Sequence, residues 1–286
     1  MEKMNFVFQT DSDDVRKVFR NHSNYLIEYS QSRHDRERYC ALYFSSNSVY
    51  FPNTSEAFYN QLVKKDKFEW YRTRIQNAEK HIFLRDIKKQ WYLSGINGEL
   101  DSIERLLHFL KKETEGYRII TLGSSAGGFA AVLFGQLLDA DRIYSFNGQF
   151  GLSDLLLTSS ESINPIIFRG RSNPEINQYF NLRPFIKRPE KIYYFYSNRN
   201  KWDMVQLERI ADMGMHFIPF NTSNHGIPFL KSNLPYILNL EEERLNDLSK
   251  CVYSPFSFSM KTQGLLATFS GILKQVMAYL SNVIKH

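Results

Sequence analysis

Cysteine is scarce: only Cys40 and Cys251 occur in 286 residues, far apart and in no CxxC pair. That argues against a disulfide framework and a thiolate metal site, and it fits a reducing compartment. No apolar run reaches the roughly 18 residues that a spanning helix needs. Residues 1–14 lack the basic-then-apolar order of a secretory signal, so the expected location is cytoplasmic. No Lys/Arg cluster interleaves with aromatics and no zinc-finger spacing occurs, which speaks against a nucleic-acid partner. Beyond Asp247 there is no acidic residue at all.

What is present is the composition of a chain able to bury a large core: 43% hydrophobic, 15% aromatic and 23% charged. A formal net charge of +6 and a pI near 9.1 favour anionic partners such as phosphorylated cofactors, acidic glycans or a membrane surface.

β-favouring clusters at 5–9 and 25–29 predict two early strands forming an antiparallel edge. Further strands are predicted at 39–44, 80–84, 117–122, 142–146, 191–196 and 216–220. Between them, 103–110, 129–138 and 204–213 carry helical spacing, the first opened by a capping-box pattern at Asp101–Glu104. Strands alternating with helices predict an α/β fold with a mainly parallel sheet covered on both faces. Residues 149–190, punctuated by Pro and rich in Arg, read as a lid-like insertion, so 1–248 forms one catalytic-type domain.

The tail, 249–286, carries Leu265, Phe269, Ile272, Leu273, Val276, Met277, Leu280, Val283 and Ile284 at helical spacing, with Lys261, Lys274 and Lys285. Such a helix covers the chain's own body or a second subunit, or lies in an anionic membrane interface at the inner face of the membrane.

Gly123-Ser124-Ser125-Ala126-Gly127 has the GxSxG form, which a chain of this length shows by chance about a tenth of the time. Its setting raises its weight: a predicted strand ends directly before it and an apolar helix follows directly after. That is a nucleophile elbow, where a strained turn lifts Ser125 out of the sheet and leaves no room for side chains at Gly123 and Gly127. Gly128 then lets the helix sit close. The Ala126 N–H is the expected first oxyanion donor, with the second from the loop after the 39–44 strand, at Ser45 or Ser46.

A serine hydroxyl at neutral pH needs a base oriented by a carboxylate, and in this fold the order along the chain is Ser, acid, His. Of seven histidines, only His225 lies in a polar loop just past the last strand, whereas His216 lies within it. Asp203 occupies the loop where the acid is expected. It equally suits the N-cap of the following helix, with Gln206 closing a capping box, and Asp154 in the insertion is the alternative acid. Lys64, Lys65, Arg72, Trp70, Trp91, Arg169, Arg171 and Trp202 form a basic, aromatic surround able to stack sugars and hold acidic groups.

The stretch 122–152, with its Gly-Ser-Ser-Ala-Gly-Gly run and Ile143-Tyr144-Ser145-Phe146-Asn147, resembles α/β-hydrolase-fold enzymes of bacterial surface-polysaccharide loci. It is most similar to capsule O-acetyltransferases of the meningococcal type, and the likeness extends loosely over 38–240. It implies an acyl-Ser125 intermediate, His225 as base, Asp203 as acid, acetyl-CoA as acyl donor with no permanently bound cofactor, and a carbohydrate hydroxyl as acceptor. Departures are the basic, aromatic loop of Arg199, Lys201 and Trp202, and the tail beyond 248. A plain esterase that releases the acyl group to water, and an inactive scaffold, stand as rival functions.

Overall fold

The computed structural model describes residues 6–30 and 38–283; Asn5, Ile284 and Lys285, named above, lie outside them. Seven strands form one sheet: β1 (Tyr25–Tyr29), β2 (Tyr39–Phe44), β3 (Ala78–Leu84), β4 (Arg118–Ser124), β5 (Arg142–Phe146), β6 (Ile192–Ser197) and β7 (His216–Phe220). Their spatial order is β1-β3-β2-β4-β5-β6-β7, with β1 antiparallel to β3 and every other pair parallel. This order, with an antiparallel outer strand and the serine turn leaving the central strand β4, is the α/β-hydrolase fold.

β6 is buried throughout, and β2 and β4 are buried beyond their first residues, as suits a sheet covered on both faces. One apolar cluster, around Phe44, Phe129, Phe134 and Tyr194, fills one face; a second, around Tyr43, Phe146, Phe195 and Phe220, fills the other. A third, around Val15, Phe19, Tyr50 and Phe58, anchors the N-terminal segment.

The strand predicted at 5–9 is not formed. Phe8–Asp11 is a short helix instead, because local partners capture its backbone: the Val7 N–H donates to the Asp11 carboxylate at 2.8 Å and the Val7 carbonyl accepts from Asp11 N–H. The helix after residue 102 is capped by Ser102, whose hydroxyl accepts from Arg105 N–H. Glu104, expected to close a capping box there, accepts from the Tyr179 hydroxyl instead.

Residues 149–190 fold into short helices, Leu155–Thr158, Pro165–Gly170 and Pro174–Asn177, pinned by the buried Leu152, Ile167 and Leu182. Arg169 ties this segment to the N-terminal one through Asp11 at 2.8 Å. Of the tail, Tyr253 bridges to Phe220, and Phe258 is buried against Phe220 and Phe229. Two helices follow, Pro255–Gln263 and Leu265–Val283.

Candidate active site

β4 delivers Ser125 into a turn that few side-chain-bearing residues adopt, with φ 53° and ψ −119°. The strained turn is held because the Ser125 N–H donates to the Phe146 carbonyl of β5 at 2.9 Å. A Cβ on Gly123 would lie 2.1 Å from the Gly127 carbonyl oxygen, and one on Gly127 would lie 2.3 Å from that of Phe44. Both positions therefore require glycine. Gly128 meets Gly148 in the same close manner, which brings the Ala126–Leu137 helix onto β5.

His225, in the loop after β7, places Nε2 3.0 Å from the Ser125 hydroxyl oxygen. Its Nδ1 lies 2.7 Å from Asp203 Oδ1. A carboxylate only accepts, so Nδ1 carries the proton and the Nε2 lone pair faces Ser125. Asp203 is buried, and its second oxygen accepts from the Asn147 side-chain amide and from Ser197 N–H. Ser197 in turn donates its hydroxyl to the Asn224 carbonyl, fixing the loop that carries His225.

The helix bearing Asp203 begins at Lys201, earlier than the spacing predicted, and Asn200 is its N-cap. Asn200 Oδ1 accepts from Trp202 N–H and Asp203 N–H, so Asp203 is spared that task. Gln206, expected to complete a capping box, instead accepts from Phe150 N–H and Gly151 N–H at 2.7 and 2.9 Å. Asp154, the alternative acid, is paired with Arg209 at 2.5 Å.

Ser45 and Ser46 do not offer the second oxyanion donor. The Ser45 N–H continues the β2–β3 ladder by one residue, donating to the Leu84 carbonyl at 3.1 Å, and the Ser46 N–H donates to Glu69 at 2.6 Å. Asn47, next in the same loop, lines the cavity at Ser125. Ala126 opens its helix, where a backbone N–H has no partner within the helix.

One residue at the serine carries no motif. Gln149 is buried, and its Nε2 donates to the Ser125 hydroxyl oxygen at 3.3 Å. The Trp91 indole N–H donates to its Oε1 at 3.0 Å. An indole can only donate, so the amide is fixed with nitrogen toward Ser125. Trp91 sits in a turn where Lys89, Trp91 and Tyr92 all have positive φ, organised by the buried Asp86 carboxylate, which accepts from the backbone N–H groups of Lys88, Gln90 and Tyr92.

The serine opens into a cavity of about 490 Å³ lined by Asn47, Trp91, Trp202 and His225 on one side and by Leu155, Thr158, Ser159, Ile163 and Asn164 of the insertion on the other. Trp202 lies over the His225 ring, with centroids 5.1 Å apart. The rest of the predicted surround is dispersed. Trp70 is buried with its N–H on the Phe44 carbonyl, Arg169 is held by Asp11 and Glu161, and Lys65 and Arg72 line a separate hollow. Among the described residues, no group of three or more His, Cys, Asp or Glu is placed to hold a metal ion.

No protein-family model matches the chain, and no curated protein matches it. Solved structures do resemble it. A protein of unknown function from Staphylococcus aureus subsp. aureus Mu50 has TM-score 0.46 at 12% identity, over 79% of this chain and 94% of that one. The capsule O-acetyltransferase of Neisseria meningitidis serogroup A has TM-score 0.46 at 16% identity, over 69% of this chain and 82% of that one. S-formylglutathione hydrolase of Staphylococcus aureus has TM-score 0.40 at 8% identity, over 68% and 82%. At these values the likenesses decide neither substrate nor mechanism.

Proposed function

We propose that the chain is a serine acyltransferase that passes an acetyl group from acetyl-CoA, through acyl-Ser125, to a hydroxyl of a bacterial surface polysaccharide or its precursor. The observation that carries the serine chemistry is the continuous hydrogen-bonded line Asp203–His225–Ser125, opening on a cavity. Donor and acceptor are what the resemblance of the 122–152 stretch implies. The cavity suits a sugar, since two indoles and the side chains of Asn47, Thr158, Ser159 and Asn164 combine ring faces with hydrogen-bonding groups.

The Ser125 oxygen adds to the thioester carbonyl while its proton passes to His225 Nε2, and the buried Asp203 carboxylate steadies the resulting imidazolium. The oxyanion is met by Ala126 N–H at the positive end of its helix, with Asn47 as the second donor. Collapse expels the CoA thiolate, which takes the proton from His225. The acceptor hydroxyl then attacks acyl-Ser125, giving its proton to His225, and the same proton returns to the departing Ser125 oxygen. Before attack, Gln149 donates to the Ser125 oxygen, which leaves the Ser125 proton directed at His225.

Incubation with acetyl-CoA tests this reading. Intact-protein mass spectrometry is expected to show an added acetyl group that is absent in Ser125→Ala, and CoA release is expected to accelerate when an acceptor glycan is supplied. Release at one rate with and without any glycan would establish a hydrolase instead, and a wild-type protein that neither acetylates nor labels with a fluorophosphonate would establish a scaffold.

A further inference from the structure

The helix Leu265–Val283 turns the wrong side to water. Its body-facing side is small and polar: Thr268 is fully buried, and Gly271 sits so near Ser232 that a Cβ there would lie 2.7 Å from the Ser232 hydroxyl oxygen. Apart from the half-buried Ile272, its large apolar residues up to Met277 point away. Leu265, Phe269, Leu273 and Val276, and beside them Leu266, Phe269, Leu273 and Met277, recur at three- and four-residue steps, and Leu266 is 86% and Met277 62% exposed. The preceding helix, Pro255–Gln263, extends this strip through Phe256, whose ring meets Phe269 edge-on, and through the exposed Met260. A monomer in water does not keep so long an apolar strip uncovered.

The underside is fastened to the body. Thr262 donates to Asn233 Oδ1 at 2.8 Å, and Asn233 Nδ2 donates to the Ser259 hydroxyl, so the Pro255–Gln263 helix is seated on the segment that follows the His225 loop, and Gly271 of the next helix lies against Ser232 of the same segment. The strip is therefore presented on a fixed support.

Its charge identifies what covers it. Residues 248–286 hold no Asp or Glu; Lys250 is paired with Asp247 just before them, and Lys261 and Lys274 stand on the two helices. A second copy would bring two acid-free, lysine-bearing surfaces together, whereas an anionic lipid surface complements both the apolar strip and the lysines. No helix among the described residues is long and apolar enough to cross a membrane. We propose that the Pro255–Gln263 and Leu265–Val283 helices lie in the interface of an anionic bilayer, with the Leu266–Phe269–Leu273–Met277 strip among the acyl chains and Lys261 and Lys274 at the headgroups. Membrane attachment is independent of the Ser125 chemistry, so each can fail alone.

Flotation of the full chain with phosphatidylcholine vesicles, with and without about 30% phosphatidylglycerol, tests it. The protein is expected to float with the anionic vesicles, weakly with neutral ones, and less as salt is raised. Joint Leu266→Gln, Leu273→Gln and Met277→Gln substitution is expected to weaken partitioning roughly tenfold or more. Lys261→Gln and Lys274→Gln are each expected to weaken it about fivefold. A cooperative thermal melt and an unchanged circular dichroism spectrum establish that each variant is folded. Two results overturn the proposal: a folded monomer that ignores anionic vesicles, or a dimer that ignores them and is dissociated by the triple substitution, which would assign the strip to a second copy.

Discussion

Asn200 caps the helix on which Asp203 stands, accepting the Trp202 and Asp203 backbone N–H groups at 3.0 and 3.2 Å. Capping and orienting His225 thus fall to different side chains, and mutation can separate them. Asp203→Asn is expected to keep the fold while lowering turnover about 10⁴-fold. Asn200→Ala is expected to lower stability by about 1 kcal/mol with the rate largely retained. Thermal melts alongside fluorophosphonate labelling rates measure both, and equal rate losses in the two variants would refute the division.

Gln149 is held by Trp91 with its amide nitrogen toward Ser125. Gln149→Leu removes the donor and leaves the Trp91 N–H unpaired in a buried place, so labelling of Ser125 is expected to slow by roughly one to two orders of magnitude. Trp91→Phe frees the amide to turn and is expected to slow it less. An unaltered labelling rate in both would remove Gln149 from the reaction.

Ser45 uses its N–H in the sheet, and its hydroxyl meets the Tyr92 hydroxyl and accepts from Asp86 N–H. Ser45→Ala is therefore expected to cost about 1–2 kcal/mol of stability and to leave the reaction rate within about twofold. Urea unfolding and turnover assays report the two effects; a rate loss of a hundredfold would give the Ser45 hydroxyl a part in the reaction.

Gly127→Ala drives a methyl group to 2.3 Å from a backbone oxygen of β2, which no rotamer change relieves. The expected loss is about 4 kcal/mol or more, read as loss of soluble, cooperatively melting protein. Recovery of a folded variant with wild-type melting would mean that the elbow does not need glycine here.

His81 is buried with Nδ1 at the Tyr43 hydroxyl and Nε2 at that of Ser30. Burial holds its pKa down at about 4, against 6.5 for a free histidine. Between those values the unfolded chain binds a proton that the native protein refuses, so this contribution to stability is complete above about pH 6.5 and is lost as pH falls toward 4. Melting temperature followed down that window is expected to drop, and more shallowly in His81→Gln; identical slopes would place the effect in other groups.

The sheet and the elbow were legible because their signals are local and repeated: an apolar run ending at Gly123, an apolar helix after Ala126, and His225 just past the last strand. Other features depend on partners distant in sequence. Gln149 has meaning only beside Trp91, from a loop on another strand, and nothing in its neighbours announces that. Asn200 and Asp203 present the same capping chemistry three residues apart, and the sequence pattern pointed to the second, and so to a helix beginning at Met204 rather than Lys201. Ser45 was misplaced because the ladder runs one residue beyond the apolar stretch that marks its strand. Residues 5–9 carry β-favouring side chains, yet the Asp11 carboxylate holds the Val7 N–H and the chain turns into the helix Phe8–Asp11.

The two sides of the cavity have different ancestry along the chain. Ser125, Asp203 and His225 sit at the ends of β4, β6 and β7, while Leu155, Thr158, Ser159, Ile163 and Asn164 all come from one segment after β5. One wall of the cavity is thereby a single short passage, so exchanging residues 153–164 between related chains would reshape that wall while leaving Ser125, Asp203 and His225 in place.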